Sequence, residues 1–252
     1  MTDKLFQLLL KQADQSFSGW DFSFITATGR VRSDFLSWSY GSIALSLIQG
    51  ADSMLDMGTG GGEFLAKLRP FPREIYATES YLPNVPIAKE RLTSLGVHVV
   101  QIEQDENLPF ATGQFDLAIN QHESYSAKEL HRILTKGGIF LTQQVGGLEY
   151  VEMNERLTAP AHEQFLHWQL DYAIDELEKH GFKILQRKEE FPLQRFYDIG
   201  ALVYYLKAIP WHVPDFTIEK YRELLYAIHQ TIVRKGYFDV KQHRFMLVAK
   251  AI

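Results

Sequence analysis

The residues with the clearest capacity for chemistry lie in Met54-Leu-Asp-Met-Gly-Thr-Gly-Gly-Gly62. There a short apolar run reaches a carboxylate, Asp56, and then breaks into Gly58, Gly60, Gly61 and Gly62. A helical pattern follows at once in Glu63-Phe-Leu-Ala-Lys-Leu68. A strand that ends in glycines and opens into a helix lets bare backbone and helix-start N–H groups approach a ligand closely. Further on, Ile75-Tyr-Ala-Thr-Glu79 reads as a second strand ending in a carboxylate. An acid at that point is suited to holding ribose hydroxyls in a nucleotide-binding unit.

Spacing separates the possible cofactors. A dinucleotide fingerprint needs G-x-G-x-x-G, but counting from Gly58 puts Glu63 at the third glycine, and counting from Gly60 puts Leu65 there. Asp-x-Gly-x-Gly-x-Gly, made by Asp56, Gly58, Gly60 and Gly62, fits without a gap. It resembles the first motif of class I S-adenosylmethionine-dependent methyltransferases. Further segments resemble that family in the same order: Glu103-Gln-Asp-Glu-Asn-Leu-Pro-Phe110, Gly113-Gln-Phe-Asp-Leu-Ala-Ile-Asn120, Arg132-Ile-Leu-Thr-Lys-Gly-Gly138, His180-Gly-Phe182, and a last strand Phe245-Met-Leu-Val-Ala-Lys250. The resemblance covers residues 51–146 closely and 170–252 loosely, and is to the small-molecule-like branch.

The resemblance implies S-adenosyl-L-methionine as cofactor, with Asp56, Gly58, Thr59 and Gly60 at its site, Asp56 either bracing the glycine loop or meeting the amino group of the methionine part, and Glu79 on the ribose hydroxyls. Ser80 and Tyr81 would border the adenine, and Asn120 would end the fourth strand beside the cofactor. The family's adenine-binding acid is replaced by Gln104, with Asp105 next to it, so the adenine contact is divided between these two. Lys136 stands where the family carries a proline.

On the acceptor side, His122 and Glu123 follow the fourth strand, where family members face the substrate. His122 is the candidate catalytic residue: it could take a proton from an attacking hydroxyl or amine, or only shape the substrate site. Many methyl transfers need little beyond positioning for in-line attack. Trp38 and Tyr40 are the best placed of the aromatics to surround a cationic sulfur, since aromatic faces attract cations. His162-Glu-Gln-Phe-Leu-His167 imitates a zinc-protease motif, but its histidines are five apart, which turns them about 140° from each other on a helix. No metal site is expected.

Alternating strands and helices predict a parallel α/β sheet, and the resemblance implies its form: Rossmann-like, doubly wound, seven-stranded and mostly parallel, with an antiparallel last strand and a helical cap. The expected strands are 52–57, 74–78, 97–102, 115–120, 138–144, 182–189 and 243–250. The expected helices between them are 61–69, 84–95, 126–135 and 165–180. Residues 1–50 form a cap segment with a helix from Ser33 to Gln49. Residues 51–252 form the core, interrupted by a cap insertion at 191–236 with helices at 197–208 and 217–235. The whole is expected to be one compact domain.

Composition narrows the function classes. At 252 residues and 46% hydrophobic content the chain can bury a sizeable core. No apolar run approaches the ~18 residues of a membrane span. The N-terminus lacks a signal-peptide core, so a cytoplasmic location is expected. The absence of cysteine excludes disulfides, cysteine-held zinc and iron–sulfur clusters, and with them radical S-adenosylmethionine chemistry. Neither a Gly-x-Ser-x-Gly elbow nor a phosphate-binding Gly-x-x-x-x-Gly-Lys-Ser/Thr loop occurs. Asn120-Gln-His-Glu123 replaces the Asn/Asp-Pro-Pro-Tyr/Phe of amino-directed nucleic-acid methyltransferases. The net charge of −5 offers no general attraction to nucleic acid. A small-molecule acceptor is therefore expected, with RNA or protein as the alternative. A nicotinamide-dependent oxidoreductase and a non-catalytic cofactor-binding protein are competing classes. The target atom and the oligomeric state stay open.

Overall fold

A computed structural model describes residues 3–17, 20–159 and 163–252. His162, the first histidine of the zinc-like motif, lies outside them. In chain order the strands are β1 (Val31–Ser33), β2 (Ser53–Met57), β3 (Glu74–Glu79), β4 (His98–Gln101), β5 (Phe115–Gln121), β6 (Leu134–Val145), β7 (Phe182–Glu190), β8 (Leu193–Phe196), β9 (Phe238–Lys241) and β10 (Arg244–Ala251). The chain divides into two compact units. No helix among the described residues is long and apolar enough to cross a membrane.

The larger unit comprises Ser37–Val145, Trp168–Glu189 and Arg244–Ile252. Its seven strands run in the order β4-β3-β2-β5-β6-β10-β7. β2 pairs in parallel with β3 and β5, β3 with β4, and β5 with β6, whereas β10 is antiparallel to β6. The sheet expected from the sequence is therefore present, antiparallel strand included. Every residue of β2 is buried, as a parallel strand covered on both faces requires. Leu55, Met57, Phe115, Phe140, Phe245 and Leu247 belong to the core of this unit. Strand order reverses between β2 and β5, and in such sheets ligands bind beyond the carboxyl ends of the strands at that switch point.

Helix bounds depart from the sequence pattern for identifiable reasons. The helix expected from Ser33 begins at Tyr40 and runs to Ile48, because the Ser39 hydroxyl caps it by accepting the Ser42 N–H, and because Ser33 is taken up in β1. The helix expected at 165–180 is Leu170–Lys179, entered through extended backbone at Gln169. The helix expected at 61–69 is reduced to one 3-10 turn, Leu65–Lys67. Glycines at 60, 61 and 62 disfavour helix on one side, and Pro70 and Pro72 stop it on the other, so too few residues remain to propagate one.

The smaller unit comprises Met1–Leu36, Gly146–His167 and Glu190–His243. The sequence predicts only helices there. The helices Ile199–Ala208 and Ile218–Lys235 form close to expectation, joined by Lys4–Gln12. A three-stranded antiparallel sheet, β1-β8-β9, corrects the purely helical cap. Its strands are three or four residues long, too short for alternation to show in sequence. Phe6, Tyr150, Phe196, Leu202 and Leu225 lie in the core of this unit. The cap aromatics pack largely on one another, with ring centroids at 4.9 Å for Phe24–Tyr204 and 5.9 Å for Phe22–Tyr205.

Candidate active site

The glycine loop leaves β2 with left-handed backbone at Gly58 (φ +67°), Gly60 (φ +61°) and Gly62 (φ +79°), a conformation that side-chain-bearing residues resist. The Thr59 N–H donates to the Thr78 carbonyl at 2.9 Å and the Gly62 N–H to the Thr59 carbonyl at 3.0 Å. These bonds tie the loop to β3. A Cβ on Gly60 would meet nothing within 4 Å, so this is the stretch of backbone a ligand can approach. With the following helix shortened to a single turn, the expected helix-start contribution to ligand binding is corrected. What the loop offers a ligand is glycine backbone and neighbouring side chains.

Four carboxylates gather at the carboxyl ends of four strands, Asp56 on β2, Glu79 on β3, Asp105 after β4 and Glu123 after β5. Asp56, 7% exposed at the end of β2, has its pKa raised to about 7. Burial is the main cause, and the nearby Glu79 adds to it. The Thr59 hydroxyl tempers the shift, yet this hydroxyl is buried without a conventional hydrogen bond, so its help is weak. Glu79, the last residue of β3, is 4% exposed, and its Oε1 accepts the Tyr81 N–H at 2.7 Å. Glu123 is pushed up by burial, then by Asp105 and more weakly by Glu79. Asp105 is itself raised by burial and accepts a hydrogen bond from the Ser124 hydroxyl. No basic side chain enters the electrostatics of Asp56, Asp105 or Glu123. Among the described residues no group of three or more ligands could hold a metal ion.

Tyr40 joins the same site. Its hydroxyl is buried and lacks a hydrogen-bond partner, and burial, followed by the charge of Asp56, pushes its pKa up. Gln104 is exposed, as is Ser80. Asn120 is fully buried: its Oδ1 accepts from Thr142 at 3.1 Å and from Gln144 at 2.8 Å, and its Nδ2 donates to the Ser124 carbonyl at 3.2 Å. Its side chain therefore shapes the 122–124 loop, with both acceptor sites of Oδ1 and one of its two amide N–H donors used.

His122 adopts left-handed backbone (φ +64°), and its N–H donates to the Gln143 carbonyl at 2.8 Å. Its Nε2 lies 3.0 Å from the Gln143 Nε2, while the Gln143 Oε1 accepts the Trp38 indole N–H at 2.8 Å. Surrounding protein, and secondarily the charge of Arg244, hold its pKa well below the ordinary histidine value. His122 as a residue is exposed, and the shift favours neutral imidazole.

The structure thus gathers Tyr40, Asp56, the glycine loop, Glu79, Asp105 and Glu123, and links Trp38 to His122. The sequence reading missed Gln143, Gln144 and Ser124. A signal was present: two adjacent amides, Gln143 and Gln144, sit in the otherwise apolar strand Ile139-Phe-Leu-Thr-Gln-Gln-Val145, and buried amides need partners.

Residues 55–142 match the family model of a methyltransferase domain. Several solved structures share the fold. A candidate methyltransferase of Bacillus halodurans C-125 superposes with a TM-score of 0.58 at 19% identity, over 83% of this chain and 98% of that one. Geranyl diphosphate C-methyltransferase of Streptomyces coelicolor A3(2), solved with Mg2+, geranyl diphosphate and S-adenosyl-L-homocysteine, gives 0.52 at 10% identity, over 84% of this chain and 79% of that one. The [4+2]-cyclase SpnF gives 0.55 at 16% identity, over 98% and 92%. No curated protein sequence matches the chain. Identities this low speak for the fold alone, and the domain match lies on the glycine loop and the strands that carry the site. Residues 55–142 are thus similar to a methyltransferase domain, set in a fold that these solved structures share.

Proposed function

We propose that the protein binds S-adenosyl-L-methionine on its glycine loop and transfers the methyl group to a small-molecule acceptor. The observation that carries this reading is the carboxylate cluster around a bare glycine backbone. Three of its four members, Asp56, Asp105 and Glu123, carry no basic partner in their electrostatics, an arrangement that favours a ligand with positive charge. The cofactor supplies, when bound, a methyl group on a cationic sulfur and a cationic ammonium. The orphaned hydroxyls of Tyr40 and Thr59 and the open space over Gly60 fit a ligand with polar atoms at this loop.

In this reading Asp56 and the backbone at 58–60 hold the methionine part and Glu79 accepts from the ribose hydroxyls. Ser80 lies along the adenine edge. Gln104 or Asp105 supplies the adenine contact; Ser124 takes one of the several acceptor sites of Asp105. Asn120 acts by shaping the loop. Trp38, Tyr40 and Glu123 border the acceptor. The chain's own contribution to rate is alignment for in-line attack and a fixed electrostatic environment.

Calorimetric titration with S-adenosylmethionine and, separately, with nicotinamide dinucleotides tests the cofactor; binding of only the latter overturns the reading. Incubation with methyl-labelled cofactor and a fractionated cell extract tests the acceptor, with label expected in the low-molecular-weight fraction and label in RNA or protein overturning that part. A second reading, cofactor binding without methyl transfer, is favoured by the likeness of fold to a cyclase. Tight cofactor binding with no label uptake in any fraction would select it.

A further inference from the structure

The hydrogen-bond chain Trp38–Gln143–His122 determines which nitrogen of His122 carries its proton. An indole N–H can only donate, so the Gln143 side-chain oxygen must be the atom 2.8 Å from the Trp38 Nε1. The amide orientation is thereby set, and the Gln143 NH2 group faces the His122 Nε2 at 3.0 Å. An NH2 group cannot accept a hydrogen bond. The His122 Nε2 must therefore be unprotonated and accepting, which leaves the proton on Nδ1. Trp38 is only 8% exposed, so its indole cannot readily exchange this partner for water. The backbone holds the ring as well, through the His122 N–H bonded to the Gln143 carbonyl at 2.8 Å.

We infer that His122 is a neutral hydrogen-bond donor through Nδ1–H, locked in that tautomer by Trp38 acting through Gln143, and that it orients an acceptor bearing a hydrogen-bond-accepting oxygen instead of removing a proton from it. A general base needs a free lone pair, and the one lone pair of this imidazole is occupied by Gln143. The hydrogen bonds of His122 among the described residues run through Nε2 and the backbone N–H, and the residue is exposed, which leaves Nδ1–H as the donor open to a ligand. The low pKa of His122 agrees, since imidazolium would carry a proton on Nε2 and collide with the amide. Trp38 and Gln143 are then positioning residues. The use made of the donor rests on the methyltransferase reading above; the tautomer does not.

Two measurements separate these levels. In full-length protein labelled with 15N-histidine, long-range proton–nitrogen correlation spectra at pH 7 report each ring's tautomer. His122 should show a protonated Nδ1 and a bare Nε2. Gln143→Glu presents a carboxylate that accepts from both neighbours, and should move the proton to Nε2. A wild-type ring protonated on Nε2 or on both nitrogens, or an unchanged tautomer in Gln143→Glu, overturns the inference. Neither result depends on cofactor or acceptor, so failure of S-adenosylmethionine to bind in calorimetry would sink the methyltransferase reading separately.

The second measurement is the initial rate of label transfer to the acceptor fraction in His122→Asn and His122→Ala. Asparagine accepts left-handed backbone well and places its NH2 near the Nδ1 position, but it cannot act as a base. His122→Asn should stay within about threefold of wild type while His122→Ala falls by about tenfold or more. Loss of a base would cost about a hundredfold or more in both. Equal inactivity of the two variants, with cofactor affinity retained, overturns the donor role.

Discussion

The side chain of Glu123 lies directly over Gly58. A Cβ placed on Gly58 would come 2.4 Å from the Glu123 Cγ and 2.7 Å from its Oε2. The loop after β5 and the loop after β2 are thus in van der Waals register, with a carboxylate set against bare backbone. Gly60, two residues on, has the same left-handed backbone and nothing within 4 Å of its Cβ position.

The two glycines therefore fail differently when substituted. Gly60→Ala carries only backbone strain, about 1–2 kcal/mol, and should fold, yet lose cofactor affinity because its methyl occupies ligand space. Gly58→Ala adds a collision with Glu123 and should lose clearly more stability. Chemical denaturation paired with calorimetry checks both. Equal stability of the two variants would show that Glu123 moves aside freely.

Asp56 gives a pH-dependent stability. Its folded pKa of about 7 lies well above the ordinary aspartate value, so the folded state holds the proton more tightly than the unfolded chain. The stabilising contribution is full below about pH 4 and is lost as pH rises toward 7. Asp56→Asn cannot ionise, so its advantage over wild type should grow across that window. It should reach a ceiling on the order of 4 kcal/mol. Urea denaturation of both proteins at pH 4.5, 6 and 8 measures it, and a pH-independent difference would reject the raised pKa.

Glu79 should separate stability from binding. Its charge disfavours ionisation of both Asp56 and Glu123, so Glu79→Gln should raise the melting temperature of the ligand-free protein. The same change replaces charge-assisted bonds to the ribose by neutral ones, each weaker by about 1 kcal/mol or more. Affinity should fall by about tenfold. Unaltered affinity would remove Glu79 from the ribose.

The larger sheet was legible because its central strands are apolar runs of the right length, such as Met54–Met57, Leu117–Asn120 and Phe245–Ala249. Asp56 and Glu79 were legible for the same reason: each is an acid at the end of such a run, and the fold carries both to one sheet edge. The short strands of the smaller unit were not, since Val31–Ser33 contains a single buried residue and its pairing partner lies more than 160 residues away in sequence, from Val31 to Phe196. The helix after the glycine loop was misread because periodicity in six residues outweighed the two prolines behind it. Gln143 stayed hidden because its role depends on Trp38, which only the folded chain brings within 2.8 Å.

Cofactor affinity should itself depend on pH, and in a predictable direction. Only ionised Asp56 attracts the ammonium and sulfonium of S-adenosylmethionine, and with a pKa of about 7 it is largely protonated at pH 6. Binding a cation next to it favours the ionised form, so the bound complex releases a proton below pH 7. The dissociation constant should fall as pH rises from 6 to 7.5. Beyond about pH 8 the gain should reverse as the ligand's α-ammonium loses its own proton. Titration calorimetry in two buffers of different ionisation enthalpy measures both the affinity and the protons released. In Asp56→Asn the affinity should be lower at pH 7.5 and nearly flat between pH 6 and 7.5, with the proton release abolished. A wild-type affinity independent of pH over that range would place Asp56 away from the cationic part of the ligand, and a slope that survives in Asp56→Asn would assign the titration to Glu123 or Asp105.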